Sequence, residues 1–197
     1  MKLSSISLIA AALAAIVGSV AAAPTFRPFE RDVDIYSRAN HQELKSLRDA
    51  AHHARKHGLH TDAEHYDKAA ERLEAALHNQ LAGQFARGMG THWHPRAQFH
   101  EDLAKKVSAT HWQDPDFFKD VKNEAYKTLH AGAAELNTKA AWIAQKNGFT
   151  ILHDFHEHIA ARNTKFKDGD KQDPRFAEVS IAAAKHTLAS PVCNNLT

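Results

Sequence analysis

The stretch from Asp114 to Gly148, DPDFFKDVKNEAYKTLHAGAAELNTKAAWIAQKNG, decides the fold. Within it Phe118, Val121, Ala125, Leu129, Leu136, Ala140 and Ile143 recur every three or four residues, the period of one face of an α-helix and not the alternation of a strand. Asp114-Pro115 supplies a start, because proline brings no amide hydrogen that the first turn would leave unpaired. Asn147-Gly148 supplies a stop. Gly132 sits inside the run, where it costs ~1 kcal/mol against alanine, so it marks a kink or a close helix crossing.

Working outward toward the N-terminus, Pro95 opens a helix with the stripe Phe99, Leu103 and Val107. The segment from Gly83 to Thr91 carries three glycines and predicts a loop. Before it, the pairs Asn40 with Glu43 and Thr61 with Glu64 have capping-box spacing, and Gly58 is placed to end a helix in the left-handed conformation. They bracket helices over 41–57 and 62–82, with apolar stripes Leu44, Leu47, Ala51, Ala54 and Tyr66, Ala70, Leu73, Leu77. Toward the C-terminus, Thr150 caps a helix reaching about Arg162 with Leu152, Phe155 and Ile159 inward. Asp173-Pro174 opens a last one that Ser190-Pro191 stops. Valine and isoleucine are sparse and alanine is everywhere, which favours helix over strand. The chain therefore reads as all-α, about six helices in a bundle or orthogonal array, with Trp93, Trp112 and Trp142 as core anchors or the lining of an aromatic pocket. The first helical pair resembles a tetratricopeptide unit in its alanine and tyrosine placement. No second copy is expected, so a solenoid is not.

The helical domain predicted over 40–190 is preceded by a basic Lys2, an apolar run and the small-residue tail Ser19-Val20-Ala21-Ala22, the layout of a secretory signal peptide over 1–22. Residues 23–39, with two prolines and mixed charge, predict an extended arm or short pro-segment, and 191–197 a tail. A secreted, extracellular protein follows as the expectation, with no integral membrane association because no later apolar run is long enough to span. Cys193 is the single cysteine. It permits no internal disulfide and offers only a free thiol or a disulfide-linked homodimer. Asn195-Leu196-Thr197 matches a glycosylation acceptor.

Charge narrows the partners. Lys and Arg exceed Asp and Glu by two, so there is no basic field of the kind nucleic acids require. The sixteen histidines are the anomaly. With a reference pKa of ~6.5 they turn a nearly neutral chain cationic in acid surroundings.

Three histidine clusters carry the candidate chemistry. His92 and His94 flank Trp93 before Pro95, and in an extended segment both would face one side, with His100 reaching back from the following helix; three imidazoles suit zinc or copper. His153, His156 and Glu157 fall at three- and four-residue spacing on one helix, a second possible ligand set. His52, His53, His57, His60 and His65 surround Gly58, with His53 and His57 opposite the apolar stripe and hence solvated. Neither His100-Glu101 nor His153 onward completes the His-Glu-x-x-His of zinc proteases, and no nucleophile elbow, phosphate loop or dinucleotide fingerprint occurs. Asp168 to Asp173 lacks the sixth-position glycine and twelfth-position glutamate of a calcium loop. The residues thus point to a non-enzymatic extracellular binding protein for a protein or small ligand, sensitive to pH or metal. The competing reading is a metal-assisted enzyme using histidines near Pro95 and His153.

Overall fold

The computed structural model describes residues 29–109, 115–168 and 173–190, and every element among them is helical. Helix α1 spans Phe29–Lys56, α2 His60–Gly88, α3 His94–Ala109, α4 Pro115–Lys146, α5 Thr150–Asp168 and α6 Pro174–Ala189, with one 3-10 turn at Thr91–Trp93. The expected signal peptide, Trp112, Asp114, Cys193 and Asn195 lie outside the described residues. None of the described helices is long and apolar enough to cross a membrane.

The chain divides into the units Met1–His41 and Gln42–Thr197. In the first, α1 already begins at Phe29, so residues 29–39 of the expected arm are helical, while 23–28 lie outside the described residues. Both prolines that suggested an arm, Pro24 and Pro28, precede Phe29, so no residue from 29 to 39 lacks an amide hydrogen. Asn40 consequently lies inside a helix and not at its start.

In the second unit α4 is the hub, packed on α2, α5 and α6, while α3 packs on α2. The glycine stops work as expected: Gly58 and Gly148 have φ of 72° and 75°, and the next residue's N–H reaches back, Leu59 to the Ala54 carbonyl and Phe149 to that of Ala144, each at 2.9 Å. Asp173 caps α6 by accepting from the Phe176 N–H at 3.1 Å. The Thr61 box does not form. α2 starts two residues earlier than expected, at His60, without a side-chain cap, and Glu64 pairs instead with Lys68 at 2.5 Å.

Two glycines serve packing. The loop expected from Gly83 is helix as far as Gly88, because Gly83 lies against α3, where a Cβ would stand 3.1 Å from Glu101 Cγ and 3.3 Å from the Ala97 carbonyl. Gly132 is the close crossing: a Cβ there would fall 2.1 Å from Phe85 Cε1, and α4 runs through it as one helix.

The interior is alanine. Ala51, Ala75, Ala82, Ala86, Ala125, Ala133, Ala140, Ala144, Ala177 and Ala184 are fully buried. Small side chains bring helix axes close, and the larger buried volume comes from polar groups. Beside Leu129 and Val107, the largest fully buried side chains are His100, His130, His156, Asn79, Asn137, Asn163 and Ser180. Trp93 is buried as expected, whereas Trp142 is 55% exposed because Ala140, Ala141 and Ala144 take the inner face of α4.

The same sequence line is written three times: Leu47-x-x-Ala50-Ala51-x-x-Ala54-x-x-x-Gly58, Asn79-x-x-Ala82-Gly83-x-x-Ala86-x-x-x-Gly90 and Asn137-x-x-Ala140-Ala141-x-x-Ala144-x-x-x-Gly148. All three glycines have positive φ. Each line continues into a helix through His65-Tyr66-Asp67, Phe99-His100-Glu101 or Phe155-His156-Glu157, followed by buried Ala70, Ala104 or Ala160. The second and third copies then share Asp-Pro, at 114–115 and 173–174, and end at Thr128-Leu129 and Thr187-Leu188. This corrects the expectation that no unit recurs. The repeat starts in the middle of a helix, so comparing whole helical pairs passes over it.

Candidate functional site

The repeated residues build one structure twice. Asn79 donates from Nδ2 to the carbonyls of Ala75 at 2.8 Å and Val121 at 3.0 Å. Its Oδ1 can then only accept, so His100 donates from Nδ1 at 2.7 Å, and Nε2 is left to accept from the Thr128 hydroxyl at 2.7 Å. In the third copy Asn137 donates to the carbonyls of Ala133 and Ser180 at 2.8 and 3.0 Å and accepts from His156 Nδ1 at 2.7 Å. Thr187 donates to His156 Nε2 at 2.8 Å. Each network ties three helices together. A related pair joins α4 to α5, His130 Nδ1 donating to Asn163 Oδ1 at 2.8 Å while His130 Nε2 accepts the Asp173 N–H at 3.2 Å. Burial disfavours the imidazolium, holding His100 and His156 down to about 4, with Arg96 adding to the effect at His100. His130 is lowered by the same cause.

These bonds settle where the expected ligands stand. His100 and His156 have both ring nitrogens engaged in separate networks. His92 is exposed, 3.4 Å from Glu135, and His94 is exposed. His153 donates from Nδ1 to the Ala141 carbonyl at 3.2 Å, with Nε2 3.6 Å from exposed Glu157. The two sets are not brought together, and no group of three or more His, Cys, Asp or Glu side chains suited to a metal occurs among the described residues. The reason is local: residues 92–94 wind through a 3-10 turn into α3, so the two-residue alternation of an extended segment does not apply. The histidines around Gly58, by contrast, are exposed as expected.

The internal copies act as controls on one another. His100 and Thr128 recur as His156 and Thr187 and are buried, so they belong to the scaffold, whereas Phe99, matched by the less exposed Phe155, is left half exposed. Arg96, Glu124 and Lys127 do not recur, since Leu152, Ala183 and His186 stand at their places. The middle copy is also two residues longer after its glycine, within the stretch that holds the Thr91–Trp93 turn. Both departures meet at two clefts that share Arg96 and Phe99. One, of about 460 Å³, is lined by Arg96, Phe99, His100, Glu124, Lys127 and Lys167 among others. Its neighbour, of about 590 Å³, is lined by His92, Trp93, Pro95, Arg96, Phe99 and Glu135.

The carboxylates there are already engaged. Glu124 pairs with Lys127 at 2.9 Å and Asp168 with Lys167 at 3.4 Å. Burial raises Glu135, but hydrogen bonds from Lys139 at 2.6 Å and Trp93 Nε1 at 2.9 Å outweigh it and hold the group below the usual carboxylate range. The Arg96 guanidinium lies 4.9 Å over the Trp93 ring and has no carboxylate within ion-pair distance among the described residues. Phe99 stands half exposed beside it. The clefts therefore offer an unpaired cation on an aromatic face with an apolar rim. The imidazole behind them has no nitrogen left for proton transfer.

Comparison with protein families, curated proteins and solved structures finds no match to this chain.

Proposed function

We propose that this chain is a non-enzymatic extracellular binding protein that takes a small amphipathic anion in the paired cleft, the acid group on Arg96 and the apolar body against Trp93 and Phe99. The observation that carries the reading is the concentration, at one place, of what the middle copy has and the third lacks: the lengthened turn and the charges Arg96, Glu124 and Lys127. A duplicated scaffold that folds with Leu152 at the matching position does not need Arg96 for stability. The extracellular setting rests on the leader over 1–22.

The metal-assisted enzyme is the weaker reading, because His100 and His156 spend both nitrogens on structure. A fluorescent aromatic sulfonate titrated into the native protein tests the proposal. Saturation near one equivalent is expected, with affinity reduced about tenfold or more by Arg96→Leu or Phe99→Ala, as for loss of a charge-assisted contact or a buried aromatic one. Leu152→Ala, on the matching face of the third copy, leaves binding unchanged. Equal binding by the Arg96→Leu protein overturns the assignment.

A further inference from the structure

A metal ligand needs a nitrogen lone pair, and the buried His100, His130 and His156 have spent theirs on Thr128, the Asp173 N–H and Thr187. His53 and His57 are different. They stand four apart, His53 in the last turn of α1 and His57 just past its end, where the His57 N–H still reaches the His53 carbonyl at 3.2 Å; both are exposed, with ring centroids 4.4 Å apart, and they form the one histidine pair in ring contact among the described residues. Neither imidazole is hydrogen-bonded to a described residue. Four-residue spacing sets two side chains one above the other on a helix, which fixes the bite of a bidentate ligand before any ion arrives.

The internal repeat sharpens the point. The places of His53 and His57 are held by Phe85 and Met89 in the second copy and by Ile143 and Asn147 in the third. In both the first of the two is apolar, and Phe85 fills the notch at Gly132. In the first copy the same face is open to solvent and carries imidazoles, so packing does not account for them.

We propose that His53 and His57 form a two-imidazole site for a borderline divalent transition ion of the zinc or copper class, separate from the cleft at Arg96. Imidazole nitrogen suits these ions, whereas magnesium and calcium prefer oxygen. With two protein ligands, water completes the coordination and the ion stays exchangeable. Bridging successive turns, the ion also stabilises the last turns of α1, ahead of the Gly58 stop.

Calorimetric titration of the untagged, chelator-treated full chain with zinc and with copper, alongside melting temperature, tests this. Expected are saturable binding near one equivalent for either ion, a rise in Tm, and no response to magnesium. Loss of a direct ligand in His53→Ala or His57→Ala weakens binding by at least the roughly tenfold that loss of a supporting contact costs at metal sites. Both positions are exposed, so these variants fold. His92→Ala leaves the titration unchanged. Absence of saturable binding, its survival in the His53→Ala/His57→Ala protein, or its loss in His92→Ala overturns the proposal.

Discussion

Asn137 illustrates how a buried amide is used between alanine-lined helices. It saturates two carbonyls with its amide hydrogens and fixes the tautomer of His156 with its oxygen. Removing one member leaves the others unpaired in a site water does not reach, and each orphaned group costs ~1–3 kcal/mol. Asn137→Ala is therefore expected to destabilise the protein by about 2–4 kcal/mol, read as a shift of the denaturant midpoint at constant slope. The first copy has Leu47 and Tyr66 where the others have asparagine and histidine, and there the place is less buried, Tyr66 being exposed. A double replacement, Asn137→Leu with His156→Phe, should cost less than the sum of the two single changes. Strict additivity would mean that the two side chains act independently.

At the scale of elements, the crossing of α2 and α4 depends on Gly132. Gly132→Ala forces a methyl group into the Phe85 ring, and such overpacking costs about 1–3 kcal/mol. Coupling Phe85→Leu to it should recover part of that loss. A Gly132→Ala protein as stable as wild type would mean that the helices separate freely. The helices themselves were legible in the sequence: proline starts, the stops at Gly58 and Gly148 and the apolar period place them. What misled were residues with two uses. Gly83 reads as a breaker and is a packing surface. Asn40 reads as a cap and lies mid-helix, and Trp142 reads as core and lies outside. The candidate site was legible only in fragments, since Phe99, His100 and Trp93 stood out singly. Arg96, Glu124 and Lys127 become informative only against Leu152, Ala183 and His186, and that comparison requires the repeat. The spacing of Asn, Phe-His, Asp-Pro and Thr-Leu was the signal that carries it.

For the whole molecule, the buried histidines couple folding to pH. His100 and His156 titrate near 6.5 when unfolded and at about 4 when folded. Because their folded values are depressed, the stability they confer is complete above pH 6.5 and is lost as pH falls from 6.5 toward 4. The full loss is on the order of 3 kcal/mol for each, and His130 acts in the same direction. Denaturant midpoints measured from pH 7 to 4.5 should fall accordingly. The Asn137→Leu/His156→Phe protein should fall less steeply, and an identical slope would remove His156 from the account.

The alanine-and-amide interior has a calorimetric consequence. Hydration of newly exposed apolar surface raises the heat capacity of unfolding and that of polar surface lowers it. A core whose bulk is methyl groups, imidazoles and carboxamides exposes comparatively little of the first and much of the second. The heat-capacity increment should lie below the roughly 12–15 cal/mol/K per residue of ordinary globular proteins. A smaller increment flattens the curve of stability against temperature, so this protein should trade height at its optimum for breadth around it.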